Sequence, residues 1–523
     1  MHRQMIMMPE APITGGLLVR FATVAIFVVL SAAGLVFSAY MFIEANSSYT
    51  FALAVIFLAL SVFAGFFNVY ASVSYFRSYY YDSYLEGITK VLKPLRRYPT
   101  VAVAIPVYNE NPENVERNIA RLFEINYPKD KLRFYLLDDS TDKDVSKALE
   151  RFAKRRHIVY LHRDNRTGCK AGALNNMLKR SEEEFLAIFD SDEYLTDKNF
   201  LVDLLPYFGD RSLAYLQTEK RYAKGTFFSE AVDLFDAFFF KFIQPNRALN
   251  NTALFAGSCG IIRCSALRTV GGFPEYVIED TFFSLESDLH NFKGLYIPRV
   301  YALGAPINTY TALVKQQWRY NYGDTQFIKY FLNRSVSTGK VSPLSMMDYW
   351  THGFGLNYLS VILIMFTILS VFISFSAIPF AHMTIKEFFQ ASYISADLEI
   401  FGAIAFVLSF LAPVILTKIY FKSIKKGFMI FILNFALAVA RTKAAIAAVL
   451  SRDPSVHWIK SHKKSKHNLV FAVANTKAEI ALAATLFVLG YVALLNSNLA
   501  GWIWLTTYGV LYFFATILLY KYG

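Results

Sequence analysis

Residues 185–192 read Phe-Leu-Ala-Ile-Phe-Asp-Ser-Asp, a short apolar run that ends in two carboxylates separated by one residue. An apolar run of this length is typical of a buried β-strand. Asp190 and Asp192 lie on the same side of an extended segment because side chains alternate along it. Hard divalent cations such as Mg²⁺ or Mn²⁺ prefer carboxylate oxygens. We therefore predict a metal site here, and a solvated turn is the alternative.

Four further apolar runs have a similar length and composition, namely Val101-Ala-Val-Ala-Ile105, Phe134-Tyr-Leu-Leu137, Ile158-Val-Tyr-Leu161 and Leu213-Ala-Tyr-Leu216. Polar segments with a helical pattern separate them. Strands that alternate with helices form right-handed crossovers in a mainly parallel sheet. Ligands of such sheets bind beyond the carboxyl ends of the strands. The sequence therefore predicts an α/β domain whose functional residues follow the strand ends.

The chain as a whole is too apolar for an ordinary soluble protein, because 55% of its 523 residues are hydrophobic and only 18% are charged. A bilayer core of about 30 Å needs roughly 20 apolar residues in a helix. Six stretches meet that length: 17–43, 51–74, 354–380, 398–420, 478–495 and 500–519. The first is longer than a signal-peptide core, so we expect it to be retained. The predicted organisation is two spans in 1–77, a soluble domain in 78–345 and four spans in 346–523.

Residues 428–450 form a seventh apolar run, but Arg441 and Lys443 interrupt it and a basic loop within 451–477 follows it. A spanning helix here would put that loop outside the cell, against the preference of Lys and Arg for the cytoplasmic side. We therefore predict an interfacial helix at 428–450. With six spans, the protein is expected to be a multi-pass protein of the cell membrane with its soluble domain in the cytosol.

The net charge indicates which partners the chain is suited to bind, and the cysteines indicate the redox state of its compartment. The formal net charge of +13 suits membrane lipid headgroups and substrate phosphates, and nucleic acid is not expected as a partner beside so many apolar segments. Cys169, Cys259 and Cys264 have no metal-ligand spacing and cannot all pair in disulfides. A reducing compartment is therefore the simpler expectation.

Polar residues that follow the strands suit a nucleoside diphosphate. Tyr108 offers a ring for stacking, and the carboxylates of Glu110 and Asp139 can accept hydrogen bonds from a base or ribose. Lys170 lies beside a glycine that permits close backbone approach. The alternatives are structural, since Asn109 and Asp139 precede helical segments that they would cap, and Lys170 would be an exposed residue at a helix start.

Two segments downstream complete the candidate chemistry. Glu279 and Asp280 lie among apolar and aromatic residues, where partial desolvation raises proton affinity toward that of a general base; acidic residues also favour helix N-termini. In the amphipathic stretch 315–320, Arg319 suits phosphate oxygens. Trp318 and Tyr320 supply flat faces for a sugar ring, although basic aromatic helices also serve as membrane anchors.

Taken together, these motifs resemble the family 2 inverting glycosyltransferases, in particular the membrane-embedded synthases of cellulose, mannan, hyaluronan and chitin. The family pattern of D, DxD, (E/T)ED and QxxRW is matched by Asp139, Asp190-Ser-Asp192, Ile278-Glu-Asp280 and Gln316-Gln-Trp-Arg-Tyr320. Lys170-Ala-Gly172 lies in the expected interval. The resemblance is strong over residues 98–335.

The resemblance implies a Rossmann-like GT-A fold for the cytosolic domain, inserted between helical transmembrane segments. It implies that Asp280, with Glu279 beside it, is the catalytic base, and that Asp192 with Asp190 holds Mg²⁺ or Mn²⁺. The implied contacts to a UDP- or GDP-sugar are Tyr108, Glu110, Asp139, Lys170, Asp190, Gln316 and Arg319. A weaker likeness at Arg441-Thr-Lys-Ala444 and beyond suggests a gating loop with Trp458 and Lys463.

The predicted function is inverting β-glycosyl transfer from a nucleotide sugar, with elongation and translocation of a polysaccharide. One departure weakens processivity, because the last Trp of QxxRW is Tyr320 here. No cyclic-nucleotide regulatory domain is expected after Leu519. Transfer of one sugar to a polyprenyl phosphate, diacylglycerol or ceramide-like lipid is the alternative, and a non-catalytic transporter or scaffold is a more distant one.

Overall fold

The computed structural model describes residues 16–338, 341–376, 411–451 and 468–523. Ten strands occur in these residues: β1 Val101–Val107, β2 Leu132–Asp138, β3 Val159–His162, β4 Phe185–Ile188, β5 Tyr194–Leu195, β6 Leu213–Thr218, β7 Arg221–Tyr222, β8 Gly260–Arg263, β9 Lys293–Ile297 and β10 Ala302–Gly304. All five predicted strands are among them.

The larger sheet has seven strands in the order β3-β2-β1-β4-β8-β6-β9, and a small sheet has the order β5-β10-β7. In the larger sheet, only β8 runs antiparallel to its neighbours β4 and β6. The remaining pairs are parallel. The prediction of a mainly parallel α/β sheet is therefore confirmed.

The α-helices of the described residues are, in chain order, α1 Leu17–Ile43, α2 Ser48–Arg77, α3 Tyr81–Val91, α4 Pro112–Ala120, α5 Lys143–Arg155, α6 Cys169–Leu178, α7 Phe200–Leu204, α8 Phe227–Phe238, α9 Gln244–Leu249, α10 Cys264–Thr269, α11 Glu279–Leu289, α12 Tyr310–Thr338, α13 Pro343–Ser374, α14 Leu411–Phe421, α15 Ile424–Leu450, α16 Leu469–Asn475, α17 Lys477–Leu495 and α18 Leu499–Tyr522. A π-helical segment, Phe239–Ile243, joins α8 to α9.

Strand β1 is buried on both faces, as expected for the centre of a parallel sheet. Val103 and Ile105 point into the core that includes residues of α4 and α5. Ala102 and Ala104 point to the opposite face, where α6 packs. Small side chains at these two positions let α6 lie close to the sheet. The first turn of α6, which carries Lys170, is thereby held at the carboxyl edge.

Within the described residues, five helices are long and apolar enough to cross a membrane, by length and composition: Leu17–Ile43, Ser48–Val91, Ile424–Leu450, Lys477–Leu495 and Gly501–Tyr522. Four of them coincide with the predicted spans at 17–43, 51–74, 478–495 and 500–519. The other two predicted spans overlap the shorter apolar helices Ser360–Ser374 and Leu411–Phe421. Their remaining parts, 377–380 and 398–410, lie outside the described residues.

The run at 428–450 lies within α15, which packs against α8, α12, α13 and α18. Its length and hydropathy also suit a membrane span. Its interfacial placement therefore stays a prediction. The structure does establish its contact with α8 and α12, since Leu433 and Ala436 of α15 share a buried cluster with Phe228 and Leu313.

Candidate active site

The carboxyl ends of β1 and β2 are level, because Val107 pairs with Asp138 at the last position of both strands. The following loops are tied together by Asn109. Its backbone N–H donates to Ser140 Oγ (2.7 Å), and its Oδ1 accepts the N–H groups of residues 141 and 142. Helix capping, the structural alternative for Asn109 and Asp139, is wrong. The caps are instead Asn111 for α4 and Asp142 for α5.

Asp139 is buried at this edge in a bidentate ion pair with Arg163. Arg163 Nε lies 2.7 Å from Asp139 Oδ1, and a terminal guanidinium nitrogen lies 2.5 Å from Oδ2. Arg163 also donates to the carbonyl oxygens of Thr167 and Cys169, which shapes the turn before α6. The predicted nucleotide contact is thus fixed in orientation by a cation that directly follows β3.

Tyr108 lies beside this pair, with the guanidinium carbon of Arg166 3.4 Å from its ring centroid. Such stacking is a cation–π contact. Glu110 accepts a hydrogen bond from Ser191 Oγ at 2.5 Å. The first loop of the domain is therefore joined to the Asp-Ser-Asp segment, and both predicted donor contacts lie at one edge of the sheet.

Lys170 and Lys220 converge on Asp190. Lys170 Nζ lies 2.5 Å from Asp190 Oδ1, and Lys220 Nζ lies 3.6 Å from Oδ2. Burial raises the pKa of this carboxyl, but the two ammonium groups outweigh it and hold the pKa well below its usual range. Lys170 is half-buried rather than an exposed residue of a helix start, so that structural alternative is wrong. Asp190 is an ionised anchor in the cleft.

Glu193 holds Asp190 and the neighbouring loop in position through hydrogen bonds. Its Oε2 accepts the backbone N–H of Asp190 (2.9 Å), and its Oε1 accepts Ser258 Oγ (2.6 Å). Lys220 Nζ lies 3.4 Å from Glu193 Oε1 and 2.5 Å from Ser258 Oγ. The ends of β4 and β6 and the segment before β8 are thereby locked together around Asp190.

Asp192 differs from Asp190 because its side chain is exposed to the cleft and accepts no hydrogen bond from the described residues. Partial desolvation, and then the charges of Asp190, Glu193 and Glu110, raise the pKa of Asp192 to about 7. No group of three or more His, Cys, Asp or Glu that could hold a metal occurs in the described part of the chain. Mg²⁺ sites that bridge to phosphates need only one or two carboxylates. The Asp190–Asp192 pair fits a cation held jointly by protein and substrate.

Gly257 brings Asp280 to the same cleft. It has φ +81°, in the region that favours glycine. A Cβ built there would lie 2.9 Å from Asp280 Oδ2 and 3.6 Å from Lys170 Nζ. The Gly257 carbonyl also accepts a hydrogen bond from Lys170 (3.0 Å). A side chain at this position would occupy the space between Asp280 and Lys170, so the close approach requires glycine.

Glu279 and Asp280 form the first turn of α11 and are both raised in pKa, chiefly by burial. The charge of Asp280 raises the pKa of Glu279 further, while Lys170 opposes the shift in both. The backbone N–H of Thr281 donates to Asp280 Oδ1 (2.8 Å), which leaves Oδ2 toward the cleft at Gly257. A carboxylate with raised proton affinity suits general-base work.

Gln316, Arg319 and Tyr320 share one face of α12, because residues three and four apart are neighbours on a helix. Burial lowers the pKa of Arg319, but three neighbouring groups outweigh burial and raise it: Tyr320, Glu279 and Asp190. Arg319 is therefore within electrostatic reach of both acids. Trp318 lies on another face, stacked on Tyr322 with 5.1 Å between ring centroids. The structure does not bring Trp318 and Tyr320 together as one platform.

The predicted donor and catalytic residues thus line one edge of the sheet and the adjoining face of α12, whereas Trp458 and Lys463 lie outside the described residues. Five residues of the site were not predicted from the sequence: Arg163, Lys220, Glu193, Ser258 and Gly257. Arg163 and Lys220 follow predicted strands, at the positions where ligands are expected, so their position in the sequence could have indicated both. Gly257 and Ser258 precede β8, a strand that the sequence pattern did not predict.

Residues 102–271 match the family Glycosyl transferase family 2. The catalytic subunit of UDP-forming cellulose synthase from Pseudomonas fluorescens (strain SBW25) is 31% identical over 261 residues, which cover 46% of this chain and 35% of that protein. Probable glucomannan 4-beta-mannosyltransferase 7 from Oryza sativa subsp. japonica is 29% identical over 246 residues, or 44% and 42% of the two chains. The matched region spans less than half the length of these relatives.

Among solved structures, a mannosyltransferase from Pyrobaculum calidifontis in complex with GDP-Man and Mn2+ has a TM-score of 0.50 to this chain. The likeness covers 76% of this chain and 99% of that one, at 18% sequence identity. At this identity the likeness concerns the fold. It confirms the Rossmann-like GT-A architecture expected from the sequence.

Proposed function

We propose that this chain is a membrane-embedded inverting β-glycosyltransferase that elongates a polysaccharide, because its residues 102–271 match the family Glycosyl transferase family 2. The donor is a nucleoside diphosphate sugar and the acceptor is the growing glycan. One observation carries the proposal. Asp280, the candidate base, meets the ion pair of Lys170 and Asp190 across a single glycine, Gly257. A base and a diphosphate-binding cluster in contact are what sugar transfer requires.

The donor side of the cleft supplies charge for a diphosphate. Lys170 and Lys220 lie against Asp190, and Arg319, within electrostatic reach of Glu279 and Asp190, has the planar geometry that suits phosphate oxygens. Asp192, with Asp190, would hold Mg²⁺ or Mn²⁺. A bound divalent cation neutralises charge on a departing diphosphate. The Mn²⁺ and GDP-Man bound to the Pyrobaculum calidifontis mannosyltransferase support this assignment.

On the acceptor side, Asp280 would take the proton of the attacking hydroxyl. The acceptor oxygen then bonds to the anomeric carbon on the face opposite the diphosphate, and the bond from that carbon to the diphosphate oxygen breaks. This single displacement inverts the anomeric centre. Glu279 lies beside Asp280, and their shared burial keeps proton affinity high in this part of the cleft.

Long apolar helices on both sides of the domain support synthesis at a membrane. We propose that the domain faces the cytosol and that the helices conduct the product across the bilayer. The relatives named for cellulose and glucomannan synthesis support a polymer over a single transfer.

Product length tests this function directly. Purified protein in detergent, given labelled UDP-glucose or GDP-mannose with Mn²⁺, is expected to yield a ladder of water-soluble or insoluble glycans. Exclusive formation of a monoglycosylated lipid under excess donor would contradict elongation and favour the lipid-acceptor alternative. Absence of metal-dependent donor turnover with any nucleotide sugar would contradict transferase activity altogether.

A further inference from the structure

A second polar cluster adjoins the candidate reaction centre through Lys220, whose charge acts on both Asp190 and Asp236. Tyr222 donates through its hydroxyl to Asp236 Oδ2 (3.0 Å), and Gln316 Nε2 donates to the Tyr222 hydroxyl (3.1 Å). The same amide nitrogen lies 3.3 Å from the Tyr320 hydroxyl. We call these four residues, Tyr222, Asp236, Gln316 and Tyr320, the acceptor recess.

The recess retains hydrogen-bonding capacity that the described residues do not use. Asp236 Oδ1 accepts no hydrogen bond within the described part of the chain, and the Tyr320 hydroxyl proton finds no acceptor there. All four side chains are partly exposed, so they line a space rather than a sealed core. A free carboxylate oxygen and a free hydroxyl proton are an acceptor and a donor at the wall of that space.

The position of the recess relates it to the reacting atoms. The Arg319 guanidinium lies over the Tyr320 ring, 5.4 Å from its centroid, and within electrostatic reach of Glu279 and Asp190. Tyr320 is the next residue and lies toward Asp236, Lys220 and Asp280, whose charges all act on its phenol. A ligand in the recess would therefore lie beside the proposed base.

The elements around the recess lead toward the membrane helices. Asp236 belongs to α8, whose buried residues Phe228 and Val232 pack against Leu433 and Ala436 of α15. Gln316 and Tyr320 belong to α12, which packs against the same helix. The recess therefore adjoins two helices that pack against α15, a helix long and apolar enough to cross a membrane.

We propose that the acceptor recess binds the terminal sugar of the glycan acceptor, with Asp236 and Tyr222 as specificity-determining residues for its hydroxyl groups. This inference rests on the proposed function and adds residues to it. Sugar hydroxyls both donate and accept, so they match Asp236 Oδ1 and the Tyr320 O–H. The face of the Tyr222 ring suits the apolar C–H side of a pyranose ring, whereas the Tyr320 ring has the Arg319 guanidinium over it, 5.4 Å from its centroid. A nucleoside diphosphate is a poor match, because Asp236 adds negative charge.

A metal ion is also a poor match for the recess. Lys220 and Arg221 both act on Asp236, and the neighbouring Asp233 is held by Arg221 through two nitrogens. Burial raises the pKa of Asp236 to about 6. Replacing this carboxylate by an amide therefore relieves a cost of folding at neutral pH and preserves an oxygen for the Tyr222 hydroxyl. A variant Asp236→Asn that binds the acceptor less well but is as stable as wild type would therefore indicate a binding role for Asp236 rather than a structural one.

The test compares Asp236→Asn and Tyr222→Phe with a matched control. Tyr330→Phe removes an equivalent bond, from the Tyr330 hydroxyl to Glu286 Oε1 (2.6 Å), on the same helix α12 but outside the recess. Cellohexaose and mannohexaose serve as primers, each with the nucleotide sugar of the same hexose. The measurements are KM for primer, KM for donor, donor hydrolysis without primer, and the thermal unfolding midpoint.

Loss of a hydrogen bond to a charged group is expected to raise the primer KM about tenfold in both recess variants. Donor KM and primer-independent hydrolysis should stay within about twofold of wild type, and Asp236→Asn should unfold at or above the wild-type temperature. The control should resemble wild type in all kinetic constants. An unchanged primer KM, or equal changes in primer and donor constants with a lower unfolding temperature, would overturn the assignment.

Wild-type protein separates this inference from the function on which it rests. If wild type hydrolyses the donor but extends neither hexasaccharide, the proposed elongation is contradicted. If wild type extends a primer and Asp236→Asn extends it with the same KM, only the acceptor recess is contradicted.

Discussion

Asp280 and Glu279 are adjacent acids at the start of α11, yet their surroundings differ. Asp280 Oδ1 is occupied by the Thr281 N–H, and Oδ2 reaches Gly257 and the cleft. We expect Asp280→Asn to reduce sugar transfer by at least about a thousandfold, in the upper part of the range for loss of a general base. The measurement is incorporation of labelled sugar from UDP-glucose or GDP-mannose.

The control for this prediction is nucleotide affinity, measured by calorimetry with UDP or GDP and Mn²⁺. Because Asn has the shape of Asp and lies away from Asp192, affinity should remain within about threefold of wild type. A variant that transfers sugar at the wild-type rate would remove Asp280 from the role of base. A variant that has lost nucleotide binding would show that Asp280 acts in donor binding instead.

Asp192 is expected to carry the metal dependence, since it is the carboxylate of the Asp-Ser-Asp segment that no lysine neutralises. Nucleotide with Mn²⁺ at 100 times its Kd should stabilise wild type by about 2.7 kcal/mol through mass action. Asp192→Asn should abolish the part of this increase that requires Mn²⁺. The measurement is the thermal unfolding midpoint with nucleotide, with and without EDTA. An undiminished Mn²⁺ effect in the variant would place the cation elsewhere.

Individual site residues were predictable where they follow a strand and unpredictable where their partner is distant. Asp190 and Asp192 directly follow β4, so the sequence indicated both. The sequence carries no sign that Lys170 pairs with Asp190, because twenty residues and the α6–β4 connection separate them. Nor does it show that the Tyr108 ring is covered by Arg166. These contacts arise only when the loops meet at the sheet edge.

At the scale of elements, buried polar contacts join α12 to α15, and the one between two side chains is that of Arg441 with Gln317. Arg441 Nε and a terminal nitrogen both donate to Gln317 Oε1, at 3.1 and 2.6 Å, and both side chains are buried. Burying a guanidinium is costly unless it is paired. The contact therefore fixes the register between α12, which carries Arg319, and α15.

We expect Gln317→Leu to destabilise the protein by about 3 kcal/mol, because it leaves a buried cation without its acceptor. Adding Arg441→Met should restore most of that loss, since an apolar pair of similar size needs no hydrogen bond. Thermal unfolding in detergent, with single and double variants compared, gives the ranking. A double variant less stable than Gln317→Leu would show that Arg441 stabilises the fold through other contacts.

Sequence patterns predicted the elements that are regular and missed those that depend on pairing. Runs of four or more apolar residues identified β1 to β4 and β6. Strand β8, Gly-Ile-Ile-Arg, is short and begins with glycine, and its antiparallel position between β4 and β6 is set by contacts over 40 residues away. The strands β5 and β7 have two residues each, too few for any periodic signal.

At the scale of the whole molecule, length and hydropathy were sufficient for the outer helices. Spans at 17–43, 51–74, 478–495 and 500–519 needed only about 20 apolar residues each. The relation of helix α15 to the membrane was harder to predict, because its apolar residues pack against other helices and the helix itself carries a buried arginine, Arg441. Mean hydropathy does not distinguish a surface that contacts lipid from one that contacts protein. The placement of α15 relative to the membrane therefore could not be predicted from composition.

The charge distribution bears on which side of the membrane the catalytic domain lies. The junction of α14 and α15 exposes Lys418, Lys422 and Lys425. Lys426 of the same junction lies 2.9 Å from Glu230 of α8. The basic junction and the catalytic domain are therefore on one side of the molecule. Since Lys and Arg prefer the cytoplasmic side of membranes, we predict that both face the cytosol, where nucleotide sugars are made.

A native cysteine reports this orientation. Cys259 and Cys264 are buried, whereas Cys169 is partly exposed in the cleft. Burial raises the pKa of the Cys169 thiol, so its thiolate fraction and its reaction with a maleimide increase as pH rises from 7 to 8.5. A membrane-impermeant maleimide should label inside-out vesicles and leave sealed cells unlabelled. Cys169→Ser should remove the signal, and labelling of intact cells would put the catalytic domain outside.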